Sequence, residues 1–126
     1  MPDPDSELAA RIAIIKQEFL GRLHSEGLPK LRDLGERFRA DPTDAVARSE
    51  LRRVTHDLIG SGAVFGYDEI SAVGRKLEAA LRALLAQDGP ENAQSHADIL
   101  ALVERLTTIC AATERDLNPS AEQRPT

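Results

Sequence analysis

The run from His56 to Gly66, His-Asp-Leu-Ile-Gly-Ser-Gly-Ala-Val-Phe-Gly, gathers the residues of this chain whose types and spacing could do chemistry. An imidazole is a nucleophile and a proton carrier near neutral pH. Gly60 follows His56 by one helical turn, so on a helix the surface beside the ring carries no side chain. Glycine in a helix interior costs about 1 kcal/mol relative to alanine, yet this segment holds both Gly60 and Gly62. A bare surface beside a histidine is what a reactive group carried by another protein needs in order to reach the ring.

Side chains three and four residues apart meet on a helix surface. For His56 these are Arg52, Arg53, Ile59 and Gly60, with no carboxylate among them. Helical side chains lean toward the N-terminus, so the imidazole leans toward the two arginines. Their guanidinium groups have the shape and charge to orient the oxygens of a phosphoryl group on the ring. On the same face Ile59, Gly60 and Ala63 form a small, mildly apolar patch suited to docking. A wheel at 100° per residue puts Ala47, Leu51, Val54, Leu58 and Phe65 within roughly 60°, and His56 about 170° from the middle of that arc. His56 therefore faces away from the core that its own helix helps to build. Gly21, Gly35 and Gly74 also fall inside expected helices. Exposed histidines beside arginines also arise on bundles without chemistry, so spacing alone leaves a purely structural reading open.

The elements that must position this run are helices. Period-3.6 patterning covers most of the chain and no segment alternates as a strand. Asp5 or Ser6 can cap a first helix reaching about Ser25, with Leu8, Ile12, Ile15, Phe19 and Leu23 on one face. Gly27 breaks it, and Pro29 suits the first turn of a second helix bearing Leu28, Leu31, Leu34 and Phe38. After Asp41-Pro42-Thr43, a third helix runs from Asp44 to Phe65, and Gly66 is its natural terminator. Asp68 can cap a fourth helix with Ile70, Val73, Leu77, Leu81 and Leu84 as its stripe, ended by Asp88-Gly89-Pro90. A fifth, from Glu91 to Leu117, carries Ile99, Val103, Leu106 and Cys110, with Thr113 a weak member of the same stripe. Short connections favour antiparallel neighbours. The expected fold is an all-α, up-down four-helix bundle with an additional N-terminal helix, with His56 exposed midway along the third helix. It forms one domain over residues 1–117, with a frayed tail over 118–126.

Composition narrows the partners. A chain of 126 residues supports one core. Three Phe, one Tyr and no Trp suit aliphatic helix packing. The net charge of −5 argues against nucleic acid. Cys110 is alone, so no disulfide framework or cysteine metal site can form. No apolar run reaches the ~18 residues of a membrane span. The N-terminus lacks the basic and apolar regions of a signal peptide. A cytoplasmic protein is expected.

The His56 run resembles the signature of the histidine phosphotransfer (HPt) family, commonly His-x-Leu-Lys-Gly-Ser-Ala followed by a second glycine. His56, Leu58, Gly60, Ser61 and Gly66 carry the likeness, with Leu77-Glu78 in the following helix. It extends from about Ile12 to Leu85. The resemblance implies a usually monomeric four-helix bundle that relays a phosphoryl group between receiver-domain aspartates of response regulators and hybrid histidine kinases. His56 would be the phosphoacceptor, in a phosphocarrier without kinase activity of its own. The chain would need no cofactor, since the Mg²⁺ belongs to the receiver. Two positions depart from the pattern: Ile59 replaces the usual lysine, and Gly62 replaces the alanine. Arg52, Arg53 or Lys76 could supply the phosphate contact that the lysine would make. The alternative is a silent HPt-like module that binds and sequesters a receiver or kinase. His24, near the end of the first helix, suits capping or solvent. His96 is expected in solvent, Glu78 carries no assigned catalytic role, and the histidines share no metal-binding spacing.

Overall fold

The computed structural model of the chain describes residues 3–86 and 93–117, and every regular element among them is helical. Asp3 caps α1 (Pro4–Arg22), and Pro4 sits at its start, where a missing N–H costs nothing. α2 spans Leu28–Ala40. The break expected at Gly27 is absent. Leu23–Gly27 form a π-helical turn, and Gly27 keeps helical angles, φ −65° and ψ −47°. Glycine permits a break without imposing one. Pro29 interrupts the ordinary hydrogen-bond ladder, and the wider turn absorbs that interruption, with the Leu28 N–H donating to the Leu23 carbonyl.

α3 (Ala45–Phe65) begins at Asp44, whose carboxylate accepts the Ala47 N–H at 3.0 Å. That hydrogen bond, with the Arg37 guanidinium beside it, holds the Asp44 carboxyl below its usual range. Gly66 ends α3 in the left-handed region at φ +80°, as its position in the sequence suggests. The Tyr67 N–H then returns to the Gly62 carbonyl at 2.8 Å, which turns the chain sharply into α4 (Asp68–Ala86). α5 spans Ala93–Ala112 and tightens into a 3₁₀ turn at Thr113–Asp116. The expected stop at Asp88-Gly89-Pro90, the start of the fifth helix at Glu91 and the tail over 118–126 lie outside the described residues.

α2 packs on α3 and α5, and α4 packs on the same two helices, which closes a ring of four. Its core joins Leu31, Leu34 and Phe38 of α2 to Leu51 and Leu58 of α3, the whole expected stripe of α4, and Ile99, Val103, Leu106 and Cys110 of α5. Burial pushes the Cys110 thiol up to about 12, which keeps it protonated and inert. Among the described residues no helix is long and apolar enough to cross a membrane.

α1 buries only part of its apolar face. Phe19 and Leu23 are buried, but Leu8, Ile12 and Ile15 remain exposed. The main packing partners of α1 are the π turn and the C-terminal 3₁₀ turn, so its amino-terminal turns pass beyond the ring. The Phe19 ring stacks on Phe65 at 5.2 Å, and the Tyr67 hydroxyl donates to Asp116 at 2.9 Å, which fixes the junction.

Candidate functional site

α3 is held against α4 by close approach. The Ser71 hydroxyl donates to the Ile59 carbonyl at 2.7 Å. A Cβ on Gly62 would stand 2.6 Å from Ser71 Oγ, and one on Gly74 would stand 2.7 Å from Ile59 Cγ1. Both glycines therefore admit the neighbouring helix. Thr55 is fully buried next to His56, and its hydroxyl is satisfied by the Leu51 carbonyl at 2.7 Å. With Leu51 and Leu58 buried on the same side, Thr55 belongs to the inward face of α3, which leaves His56 outward.

The His56 side chain is 76% exposed. Its Nδ1 lies 3.0 Å from Oε2 of Glu78, a residue of α4 that is only 20% exposed. An ionised carboxylate only accepts hydrogen bonds. The contact therefore suits the tautomer with its proton on Nδ1, in which Nε2 keeps its lone pair. The other Glu78 oxygen lies 3.5 Å from Arg82 Nη2, one helical turn farther along α4. Glu78 thus orients the imidazole from across the helix pair, where inspection of α3 alone finds no carboxylate. The signal was present as Ser71, Gly74 and Glu78, whose spacing of three and four puts two small residues and one carboxylate on a single stripe of α4.

His56 stands between two clefts. One is lined by Arg48, Ser49, Arg52, Arg53 and Glu78. The other is lined by Ile15, Phe19, Gly60, Ser61 and Val64. Arg52 and Arg53 are exposed and share the first cleft with the ring. Gly60 opens onto the second, where an added Cβ would meet nothing within 4 Å. Ala63 is exposed, on the same side of α3 as His56. Ile59 is half-buried and turned toward Gly74. Lys76 is exposed but rotated by about 160° from Glu78 on α4, so it is not brought to the imidazole.

The other histidines are structural. His24 is half-buried rather than capping or solvated. Thr113 donates its hydroxyl proton to the Cys110 carbonyl at 2.7 Å and so accepts from His24 Nε2 at 2.9 Å. His96 is half-buried instead of solvated, with its ring edge-on to Phe38 at 5.7 Å.

An exposed, oriented imidazole on a helix of a four-helix ring, with arginines on one side and a bare glycine on the other, is an arrangement suited to group transfer between proteins. A family model for the Hpt domain matches residues 6–116. No curated protein and no solved structure gives a significant match. The chain belongs to the HPt family, the histidine phosphotransfer modules of phosphorelays.

Proposed function

We propose that His56 is the phosphoacceptor and that Nε2 is the atom that carries the phosphoryl group. The observation that supports this most is the Glu78 contact at Nδ1, which leaves Nε2 as the nitrogen with a lone pair on a ring that is 76% exposed. In transfer, Nε2 attacks the phosphorus of a receiver's aspartyl phosphate. The N–P bond forms, the P–O bond to the aspartate breaks, and the electron pair returns to the carboxylate. Onward transfer runs the same step in reverse on a second receiver. The catalysis is nucleophilic and divided between two proteins, with the Mg²⁺ supplied by the receiver domain of a response regulator or hybrid kinase. Arg52 and Arg53 orient the phosphoryl oxygens. Gly60 and Ala63 give the receiver its approach, and Ile59 supports that surface from the side of α4. The protein is a cytoplasmic phosphocarrier.

A second reading, a module that binds a receiver without accepting phosphate, draws its support from Ile59, which stands where the family often carries a lysine. Phosphotransfer from labelled receiver domains, to wild-type protein and to His56→Gln, separates the two. Acid-labile, base-stable label on the wild type alone is the expected result. A receiver that binds but leaves no label would favour sequestration, and label persisting in the variant would move the site away from His56.

A further inference from the structure

The amino-terminal part of α1 leaves Leu8, Ile12 and Ile15 exposed at 58%, 44% and 50%. With Phe19 they alternate at spacings of four and three, the pattern of a two-helix seam. On a helical wheel the four share an arc of about 60°. Arg11 and Glu18 flank it on one side, and Ala9 and Lys16 on the other. Phe19 is already stacked on Phe65, so three apolar positions stand open. Arg11 and Glu18 lie about 10 Å apart along the axis, too far to pair with each other. Among the described residues neither takes part in an ion pair.

We propose that this seam is covered by α1 of a second copy of the chain, running antiparallel about a two-fold axis between Ala13 and Ile14. In that register Ile12 meets Ile15 of the other copy. Leu8 lies level with Phe19 of the other copy, at the cleft of Ile15, Phe19, Val64 and Phe65 onto which Gly60 also opens, so a second copy and a docked receiver exclude one another there. Arg11 faces Glu18 of the other copy, twice by symmetry, and Lys16 faces only Ala9. A parallel pair would set Arg11 against Lys16 of the other copy, also twice, so charge selects the antiparallel orientation. Three open positions per copy make a contact smaller than the ~800 Å² per partner of a standard interface. Association is therefore weak, and the monomer that the family resemblance implies is the dilute state.

Sedimentation equilibrium from micromolar to millimolar protein tests this directly. The weight-average mass should climb toward that of a dimer. Arg11→Glu should weaken association roughly tenfold, because two attractive pairs become repulsive. The double variant Arg11→Glu/Glu18→Arg should restore it, and Ile12→Asp should stay monomeric with unchanged helicity. A protein that remains monomeric at millimolar concentration, while Ile12→Asp impairs receiver binding, would overturn the proposal and assign the seam to the receiver. Association that Arg11→Glu leaves untouched, or that the double variant fails to restore, would overturn the antiparallel register.

Discussion

Gly60 and Gly62 lie two residues apart on α3 and face two different regions of the molecule. At Gly62 an added Cβ would stand 2.6 Å from Ser71 Oγ and 3.0 Å from the Tyr67 carbonyl oxygen. At Gly60 it would meet nothing within 4 Å. The packing of α3 against α4 explains the first glycine completely. Nothing in the chain's own structure explains the second, which opens onto the cleft beside His56. A helix thus carries the same costly residue for an internal reason on one face and for an external one on the other. On the proposed function, that external reason is the approach of a receiver.

The largest test of that contrast is Gly60→Phe. It should cut phosphotransfer by at least about a hundredfold, since displacing the reacting centres by even ~1 Å can cost that much, while circular dichroism stays unchanged. Unimpaired transfer would show that Gly60 gives no access. Alanine at the two positions sharpens the comparison, because the signs should differ. Gly62→Ala should destabilise the fold by about 1–3 kcal/mol through overpacking. Gly60→Ala should stabilise it by up to about 1 kcal/mol through helix propensity. Urea unfolding reads both, and matching signs would end the distinction. Next comes Glu78→Ala, expected to slow transfer about tenfold, the lower end of the loss when the carboxylate that orients a metal-ligating imidazole is removed. Glu78→Gln should recover part of the rate, since an amide carbonyl can accept the same Nδ1 proton. Imidazole ¹⁵N shifts should show proton population moving from Nδ1 toward Nε2 in the alanine variant only; an unaltered tautomer would remove the orienting role.

The internal face was largely legible in the sequence. The stripes of α4 and α5 read directly as period-3.6 patterns, Gly66 marked its own left-handed turn, and the outward rotation of His56 followed from Leu51 and Leu58 on the other side of α3. Pairwise approach between helices was not legible, because a single-helix wheel carries no information about the neighbour. For that reason a wheel of α3 gives Glu78 no role and sets Ile59 with the docking patch, although Ile59 turns toward Gly74. What covers the stripe of α1 is hidden from the sequence for a related cause. Leu8, Ile12 and Ile15 form a good apolar stripe, but a stripe predicts a partner surface without saying that it lies in the same chain. Gly27 suggests a break because glycine weakens an α-helix, but the π turn satisfies the backbone without interrupting it, while Pro29 does stand in the first turn of α2.

The smallest expected effect concerns the arginines of the first cleft. Arg53 is exposed and lies one turn before His56, so its attraction for a phosphoryl group is partly screened by water. Arg53→Glu should slow transfer by roughly threefold to tenfold, the scale of one exposed charge reversed near a developing anion, with little change in stability. Because the interaction is solvent-facing, raising salt toward 1 M, where the Debye length falls to about 3 Å, should bring the variant and wild-type rates together. A stabilising hydrogen bond formed only with the transferring phosphoryl group would resist salt, so a defect that persists at high salt would place the guanidinium in direct contact. Equal rates at low salt would reduce Arg53 to a surface charge and leave Arg52 as the orienting residue on that side of the ring.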